Sequence, residues 1–311
     1  MPADARARRP RVAARSRSRT EPRATHAVPA ALLPYLRLVR APAVFSALGD
    51  PIAGLLLDDA RTLSSGQASR LSAASAMLYL AGMALNDLAD REEDARERPE
   101  RPIPSGAVSP RTAAIIGGAL LLGGVLAAQR SGARWTGPAL AAMIVAYDFQ
   151  LKRSAALGPA AMGACRALSL LMGVEASRGV VTRRGAEGAL LLGAYVAGLT
   201  LIARGETGAA RTGELRTGAG LVAGALLATA VRGGIASLTW SAATAALAGP
   251  AVRRAVLAPS PRTVGPAVGA LIRAIPALDG GIAGASGPAP AGVLLSLLAL
   301  TRWGRTLIPI T

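Results

Sequence analysis

Long apolar stretches separated by short polar connections dominate the chain from residue 34 onward. Their lengths are close to the roughly 17–25 residues with which an α-helix crosses a bilayer. We place nine of them at 34–57, 67–88, 110–129, 135–150, 157–177, 186–203, 215–232, 235–257 and 288–307. A tenth candidate, 263–283, contains Arg273, Asp279 and several prolines and glycines, which favour an interfacial or re-entrant helix. The pattern predicts an all-α integral membrane protein with about nine transmembrane helices.

Composition supports a membrane interior rather than a soluble core. The chain of 311 residues is 51% hydrophobic, holds 36 glycines and is only 3% aromatic. Small residues let helix backbones approach closely in lipid, which provides no hydrophobic force between helices. The single cysteine, Cys165, excludes a disulfide framework and a thiolate metal site. We interpret it as a small packing residue.

Positive charge is concentrated at the start of the chain and in one set of connections. The net charge is +17, and residues 1–30 hold eight Arg against Asp4 and Glu21. We predict a disordered Arg-rich cytoplasmic tail over 1–30, followed by a membrane domain over 31–311. A nucleic-acid arm is disfavoured, since the tail lacks interleaved aromatic residues and a folded reader. The connections predicted to share the cytoplasmic side are 89–109, 151–156, 204–214 and 258–287, although Arg178, Arg183 and Arg184 then lie outside.

A dense polar cluster follows the second apolar stretch. On a helix, Asp87, Asp90 and Asp94 share an arc of roughly 60°, and Asn86 lies one step to the side. A solvated helix end is the simplest interpretation of an isolated carboxylate there. Three carboxylates on one face instead favour a bound cation, and Mg²⁺ suits oxygen ligands supplemented by substrate phosphates.

The same residues carry a family resemblance. Asn86-Asp-x-x-Asp-x-x-x-Asp94, followed by Arg101-Pro-Ile-Pro-Ser-Gly106, resembles the first aspartate-rich motif of the UbiA superfamily of intramembrane prenyltransferases. The resemblance implies a UbiA-like bundle with an active-site cavity on the cytoplasmic side. It also implies that Asn86, Asp87, Asp90 and Asp94 bind Mg²⁺ with an isoprenoid diphosphate, the three aspartates being catalytic. Arg101 would then meet phosphate oxygens.

A second correspondence with the family is Tyr147-Asp-Phe-Gln-Leu-Lys152-Arg153 at the end of the fourth stretch. The resemblance implies that Lys152 and Arg153 bind the diphosphate and that Tyr147 stabilises positive charge on the allylic carbon through its ring. Loop anchoring by Lys152 and interfacial anchoring by Tyr147 are the alternatives. Arg166, inside the fifth stretch, is a further phosphate-binding candidate because an isolated Arg there is costly.

The second half of the chain departs from the family pattern. Where most members carry a second Asp-x-x-x-Asp cluster, this sequence reads Leu201-Ile-Ala-Arg204-Gly-Glu206. This variant is similar to the EboC-like branch. Glu206 is predicted to replace part of the second metal site, with Arg204 contacting phosphate. The group that deprotonates the acceptor has no candidate.

Two other carboxylates lie inside or near apolar stretches. Asp50 precedes Pro51, so a helix-break or capping role is slightly favoured over a cavity-facing one. For Asp279, loop capping and a cavity-facing role are equally supported.

These observations predict a Mg²⁺-dependent prenyltransferase in the bacterial plasma membrane, acting on an isoprenoid diphosphate and an aromatic or other small acceptor. Transfer of phosphoribosyl or another sugar phosphate to polyprenyl phosphate is the alternative within the fold. A transporter or non-catalytic scaffold is disfavoured, since the charges gather at one face without inverted repeats. The spacing around Asp87 also lacks the motif of CDP-alcohol phosphotransferases. Prenyl chain length and acceptor identity stay open.

Overall fold

Helices account for almost all of the chain that the structure describes. The computed structural model describes residues 29–57, 65–206 and 211–284, with single positions at 292, 295, 296 and 299. The α-helices are α1 (Leu33–Leu38), α2 (Gly49–Leu56), α3 (Ser65–Ala89), α4 (Arg91–Glu97), α5 (Pro110–Ser131), α6 (Thr136–Ala146), α7 (Leu157–Arg178), α8 (Arg183–Ala203), α9 (Thr212–Arg232), α10 (Gly234–Leu257) and α11 (Pro261–Ala283). Short 3-10 helices cover Ala30–Leu32 and Ala41–Ser46, and a π-helical turn covers Tyr147–Leu151.

Six helices of the described residues are long and apolar enough to cross a membrane: α5, α7, α8, α9, α10 and α11. Five of them match predicted stretches to within a few residues. Helix α3 has 25 residues but is not among the six, and α6 has only 11 before the π-helical turn. The predicted tail, apart from residues 29 and 30, lies outside the described residues, as does the predicted span 288–307 except for four single positions.

The predicted span 34–57 is wrong as a single helix. The structure divides it into α1, a 3-10 helix and α2. Arg40 lies between the first two with a φ of 47°, in the left-handed region, and Pro42 follows at the start of the 3-10 helix. Both features interrupt an α-helical path, since a left-handed residue turns the chain and proline lacks an N–H donor. The break leaves α2 as a short helix in the interior.

The predicted interfacial or re-entrant segment 263–283 is corrected to the continuous helix α11. Pro266 and Pro276 lie inside this helix without ending it. A capping box formed by Ser260 and Thr263 begins the helix, and Gly284, with a φ of 59°, follows its end. Most of α11 is buried inside the bundle, where neighbouring helices compensate for the interruptions of the prolines.

Two apolar clusters form the interior of the bundle, and α2 and α7 contribute to both. One cluster joins them to α8, α9, α10 and α11. The other joins them to α3, α5 and α6. Polar side chains on α2 and α7 are therefore held between the two halves of the bundle.

Helices α2 and α7 cross in direct backbone contact through a pair of glycines. A Cβ atom at Gly54 would overlap the carbonyl oxygen of Leu170, and one at Gly173 would overlap the carbonyl oxygen of Pro51. A methyl group at either position cannot be accommodated by a side-chain rotation, because the opposing atoms belong to backbone. The two helices are as close as glycine allows.

We expect Gly173→Ala to destabilise the bundle by roughly 1–3 kcal/mol, the usual cost of overpacking an interior. The midpoint of thermal unfolding, followed by circular dichroism in detergent, should fall by several degrees. Gly224→Ala is the matched control, since a Cβ at Gly224 meets no atom within 4 Å. An unchanged midpoint for Gly173→Ala would contradict the close crossing.

Candidate active site

The acidic motif lies where α3 gives way to α4, rather than on one continuous helix. Helix α3 ends at Ala89, Asp90 occupies the turn, and α4 begins at Arg91. Asp87 and Asp94 are buried, with 4% and 3% of their surface exposed. The prediction of one continuous helix is thus corrected to two helices that meet at Asp90, although Asp87 and Asp94 still share Arg101 as a neighbour.

Arginines neutralise Asp87 and Asp94. Arg40 donates from Nη2 to Oδ1 of Asp87 at 2.9 Å. Arg101 donates from Nη1 to Oδ2 of Asp94 at 2.6 Å and lies 3.5 Å from Asp87 Oδ1. Arg98 Nη1 is 3.8 Å from the other oxygen of Asp94. Arg101 therefore lies beside the motif, with its side chain only 11% exposed, and its predicted contact with phosphate stays a prediction.

Lys152 neutralises Asp90, the third carboxylate of the motif. Its Nζ lies 2.7 Å from Asp90 Oδ1 and donates to Asn86 Oδ1 at 3.1 Å. Asn86 in turn donates from Nδ2 to Asp90 Oδ2 at 3.2 Å. The structure thus brings the only lysine of the chain onto the predicted motif across 62 residues of sequence, from Asp90 to Lys152.

The π-helical turn at the end of α6 presents two more polar side chains to the same place. Asp148 is buried, with 4% of its surface exposed, and its Oδ2 atom has no hydrogen-bond partner. Asp148 interacts electrostatically with both Lys152 and Asp90. Tyr147, next to it, interacts with Asp90 and Arg204. Wide turns of this kind often re-aim side chains at functional sites.

A cavity of about 230 Å³ runs inward from this charged end of the bundle. Asn86, Arg40, Tyr147 and Asp148 line it. The rest of its wall is formed by α3, α6, α7 and the segment before α2, through Ala47, Ser75, Leu78, Tyr79, Gly82, Met83, Leu140, Ile144, Met162, Cys165, Arg166 and Ser169. Cys165, predicted as a packing residue, is therefore also a wall residue of the cavity.

No three acidic, His or Cys side chains converge as a metal site within the described part of the chain. The predicted ligands Asn86, Asp87, Asp90 and Asp94 are close together, but their oxygens are held by cationic side chains. Their chemistry still fits Mg²⁺, which takes one or two carboxylates together with substrate phosphates rather than a full protein cage. The cationic side chains that hold these carboxylates are also of the type that binds phosphate oxygens.

The end of α8 lies at the same end of the bundle. Glu206 is an exposed residue that interacts electrostatically with Arg98 and lies near Gly265 at the start of α11. Partial loss of hydration raises the pKa of the Glu206 carboxyl, and Arg98 opposes that rise. Arg204 Nε is 3.7 Å from Glu214 Oε2. Arg153 is exposed. The roles predicted for Arg153, Arg204 and Glu206 stay predictions.

Arg166 is paired with a buried carboxylate other than those of the acidic motif, and the phosphate-binding role predicted for it stays a prediction. Its Nη2 atom donates to Asp50 Oδ1 at 2.6 Å and to the backbone oxygen of Ser46 at 2.7 Å. Asp50 lies in the first turn of α2 and is fully buried, without a side-chain cap bond at that helix end. Of the helix-break or capping role favoured for Asp50, the position at a helix start after a break is found, while the carboxylate forms an ion pair with Arg166 in place of a cap bond. Asp279 is also fully buried, and it contacts Gly49.

Two residues at the motif, Arg40 and Asp148, were not predicted from the sequence. Arg40 had no usable signal, since arginines are abundant throughout the chain and this one meets Asp87 only through the fold. Asp148 had one signal. It stands four residues before Lys152, a spacing at which helical side chains of opposite charge meet.

Comparison with known proteins points to the family that the acidic motif resembles. The model of the UbiA prenyltransferase family matches residues 51–261. A digeranylgeranylglyceryl phosphate synthase of Metallosphaera sedula is 31% identical over 142 residues, covering 45% of this chain and 50% of that protein. A 4-hydroxybenzoate octaprenyltransferase of Paracidovorax citrulli is 38% identical over 110 residues, covering 34% and 37%. The chain thus matches half or less of the length of these curated relatives.

Solved structures share the fold. The apo structure of a UbiA homologue from Aeropyrum pernix K1 has a TM-score of 0.63 at 21% identity, covering 75% of this chain and 94% of that one. The structure of a UbiA homologue from Archaeoglobus fulgidus bound to DMAPP and Mg²⁺ has a TM-score of 0.52 at 13% identity, covering 89% and 99%. Since the family model covers more than half of the residues, the chain belongs to the UbiA prenyltransferase family.

Proposed function

We propose that this chain transfers an isoprenyl group from an isoprenoid diphosphate to a small acceptor, with Mg²⁺ as cofactor. The observation that carries the proposal is the alternation of carboxylates and cations at the mouth of an inward-running cavity. Asp87, Asp90 and Asp94 are paired there with Arg40, Lys152 and Arg101. A metal–diphosphate complex presents the complementary alternation of a cation and anionic oxygens.

Exchange of partners explains how such a complex binds without leaving buried charges unmatched. The guanidinium of Arg101 and the ammonium of Lys152 transfer from carboxylates to phosphate oxygens. Asp90 and Asn86, released by Lys152, would then hold Mg²⁺ through oxygen, together with Oδ2 of Asp87, since Arg40 and Arg101 both approach Oδ1 of that residue. When bound, Mg²⁺ draws charge from the diphosphate and makes it a better leaving group. Asp94, which gives up Arg101, keeps Arg98 at 3.8 Å, so no carboxylate of the motif is left as an unpaired buried charge, which would be costly.

The cavity next to Asp148 supplies the place for transfer. The bond between the allylic carbon and its diphosphate oxygen breaks, and its electron pair leaves with the diphosphate. A nucleophilic atom of the acceptor forms the new bond to that carbon and releases a proton. Asp148 Oδ2, buried on the wall without a hydrogen-bond partner, is positioned to accept this proton. The Tyr147 ring, on the same wall, stabilises developing positive charge.

The relatives support this class of reaction without defining the substrates. Two of them are named for a glyceryl phosphate lipid and for 4-hydroxybenzoate, so they differ in acceptor. The names do not point to the EboC-like branch, which stays a prediction resting on the segment from Tyr195 to Glu206. Placement of Arg204 and Glu206 in a second half of the donor site also stays part of the proposal, as does the bacterial plasma membrane.

A product assay tests the proposed function. Membranes containing the wild-type chain are incubated with Mg²⁺ and tritiated geranyl diphosphate, together with a panel of phenolic, alcohol and glyceryl phosphate acceptors. We expect a labelled lipid product that is absent from membranes lacking the chain. Parallel incubation with labelled phosphoribosyl diphosphate and polyprenyl phosphate tests sugar-phosphate transfer. A product only in that incubation, or in neither, would overturn the proposal.

A further inference from the structure

Three ionisable side chains meet inside the bundle, away from the charged mouth of the cavity. Asp50 on α2 is paired with Arg166 on α7 through the 2.6 Å bond between Oδ1 and Nη2. Asp279 on α11 interacts electrostatically with both. We call these residues the inner cluster. Such groups are costly in a membrane interior and are usually functional there.

The inner cluster has unused hydrogen-bonding capacity. Asp50 and Asp279 are both 0% exposed. Oδ2 of Asp50, both carboxylate oxygens of Asp279 and Nε of Arg166 are buried without hydrogen-bond partners. Gly49 lets the Asp279 carboxylate pack against the backbone of α2, because a Cβ at that position would overlap Oδ2. Unsatisfied buried groups of this kind cost free energy, so their presence here calls for an explanation other than stability, such as a bound polar molecule.

One member of the inner cluster reaches the cavity. Arg166, whose side chain is 11% exposed, lines the cavity together with Ser169, whose hydroxyl also interacts with the Asp50 carboxylate. Ser75 and Tyr79 add hydroxyl groups to the same wall. The cavity therefore carries hydrogen-bonding groups of its own in addition to the diphosphate-facing residues at its mouth.

Charge decides which polar group this part of the cavity accepts. The single guanidinium of the inner cluster is already engaged by the Asp50 carboxylate at 2.6 Å, and this ion pair leaves it no net positive charge to offer. Arg40, the other guanidinium on the cavity wall, is paired with Asp87, and Asp148 adds another carboxylate. An anionic carboxylate or phosphate would enter without a matching cation and would lose its hydration. A neutral hydroxyl finds both donors and acceptors.

We propose that the inner cluster is the acceptor subsite, in which Arg166 and Ser169 bind a neutral hydroxyl-bearing molecule while Asp50 and Asp279 position Arg166. The inference rests on the proposed function. It separates this chain from a relative named for 4-hydroxybenzoate, which carries a carboxylate. The cavity of about 230 Å³ also has to admit the reacting end of the isoprenyl group, which limits the acceptor to a small molecule of roughly one ring.

Two probes of nearly equal size test the subsite. Wild-type protein in lipid nanodiscs is titrated with tritiated 4-hydroxybenzyl alcohol and with tritiated 4-hydroxybenzoate, and dissociation constants are compared. We expect the alcohol to bind at least about tenfold more tightly. Arg166→Gln should lose that preference. Asp50→Asn combined with Asp279→Asn should reverse it, because Arg166 then presents an uncompensated charge to the carboxylate.

Magnesium-dependent binding of geranyl diphosphate serves as the folding control for each variant. Asp279→Asn alone retains the Asp50–Arg166 pair and replaces the double variant if that variant does not fold; it should move the ratio toward the carboxylate. Wild-type preference for 4-hydroxybenzoate, binding of neither probe, or a ratio unaffected by the Asp279 change would overturn the subsite. Failure of the product assay would instead overturn the proposed function and leave this binding ratio standing.

Discussion

Asp90→Asn should remove the Mg²⁺-dependent binding of geranyl diphosphate and, with it, prenyl transfer. Asparagine keeps the size of the side chain but cannot provide a carboxylate to the metal. Removing a residue that only supports a metal ligand usually lowers metal affinity or activity 10- to 100-fold. For a direct ligand such as Asp90 we therefore expect Mg²⁺-dependent donor affinity to fall at least about a hundredfold. Binding is measured with labelled geranyl diphosphate on protein in nanodiscs, with Mg²⁺ and with EDTA.

Binding in EDTA provides an internal check on this variant. Asp90→Asn releases Lys152 from its 2.7 Å ion pair, so metal-independent binding of the diphosphate should stay equal or increase. Glu93→Gln is the matched control, because Glu93 is an exposed residue of the same helical segment. Equal Mg²⁺ dependence in Asp90→Asn and Glu93→Gln would exclude Asp90 as a ligand.

Asp148→Asn should slow transfer by about 10²- to 10⁴-fold, the usual contribution of a general base. Binding of geranyl diphosphate should not weaken, since removing the Asp148 carboxylate takes a negative charge away from the donor site and a competing anion away from Lys152. Single-turnover transfer and donor binding are measured on the same preparation. The split between a slower reaction and undiminished binding identifies a role in the chemical step rather than in folding.

Asp148→Glu is the control for this second variant. It keeps a carboxylate on the cavity wall and should retain a measurable part of the activity that Asp148→Asn loses. A parallel fall of donor binding and rate in Asp148→Asn would assign the residue to the donor site. Full activity in Asp148→Asn would remove it from the mechanism.

Much of the fold was predictable, because bilayer thickness imposes a length on helices that the apolar pattern reports directly. Helices α5, α7, α8, α9 and α10 follow that pattern. The apolar pattern does not predict helix ends or interruptions where backbone conformation or packing determines them. Arg40 adopts a left-handed φ that divides the first stretch, and α11 stays helical through two prolines because its neighbours bury it.

In the candidate site, residues that are close in sequence could be predicted, whereas residues brought together by the fold could not. The motif from Asn86 to Asp94, with Arg101 after it, is local in sequence and was recognised from it. Its cations are not all local, since Arg40 and Lys152 arrive from other helical segments. The ion pair of Asp50 with Arg166 joins residues 116 positions apart, which residue type alone does not reveal.

On binding, a metal–diphosphate complex is proposed to replace the ion pairs of the acidic motif. An experimental structure of the chain with geranyl diphosphate and Mg²⁺ measures this most directly. We predict Mg²⁺ bound by Asp87 and Asp90, with Arg101 and Lys152 moved onto phosphate oxygens and the isoprenyl chain extending into the bundle. A diphosphate bound elsewhere, with the Asp90–Lys152 and Asp94–Arg101 pairs intact, would contradict this exchange of ion-pair partners.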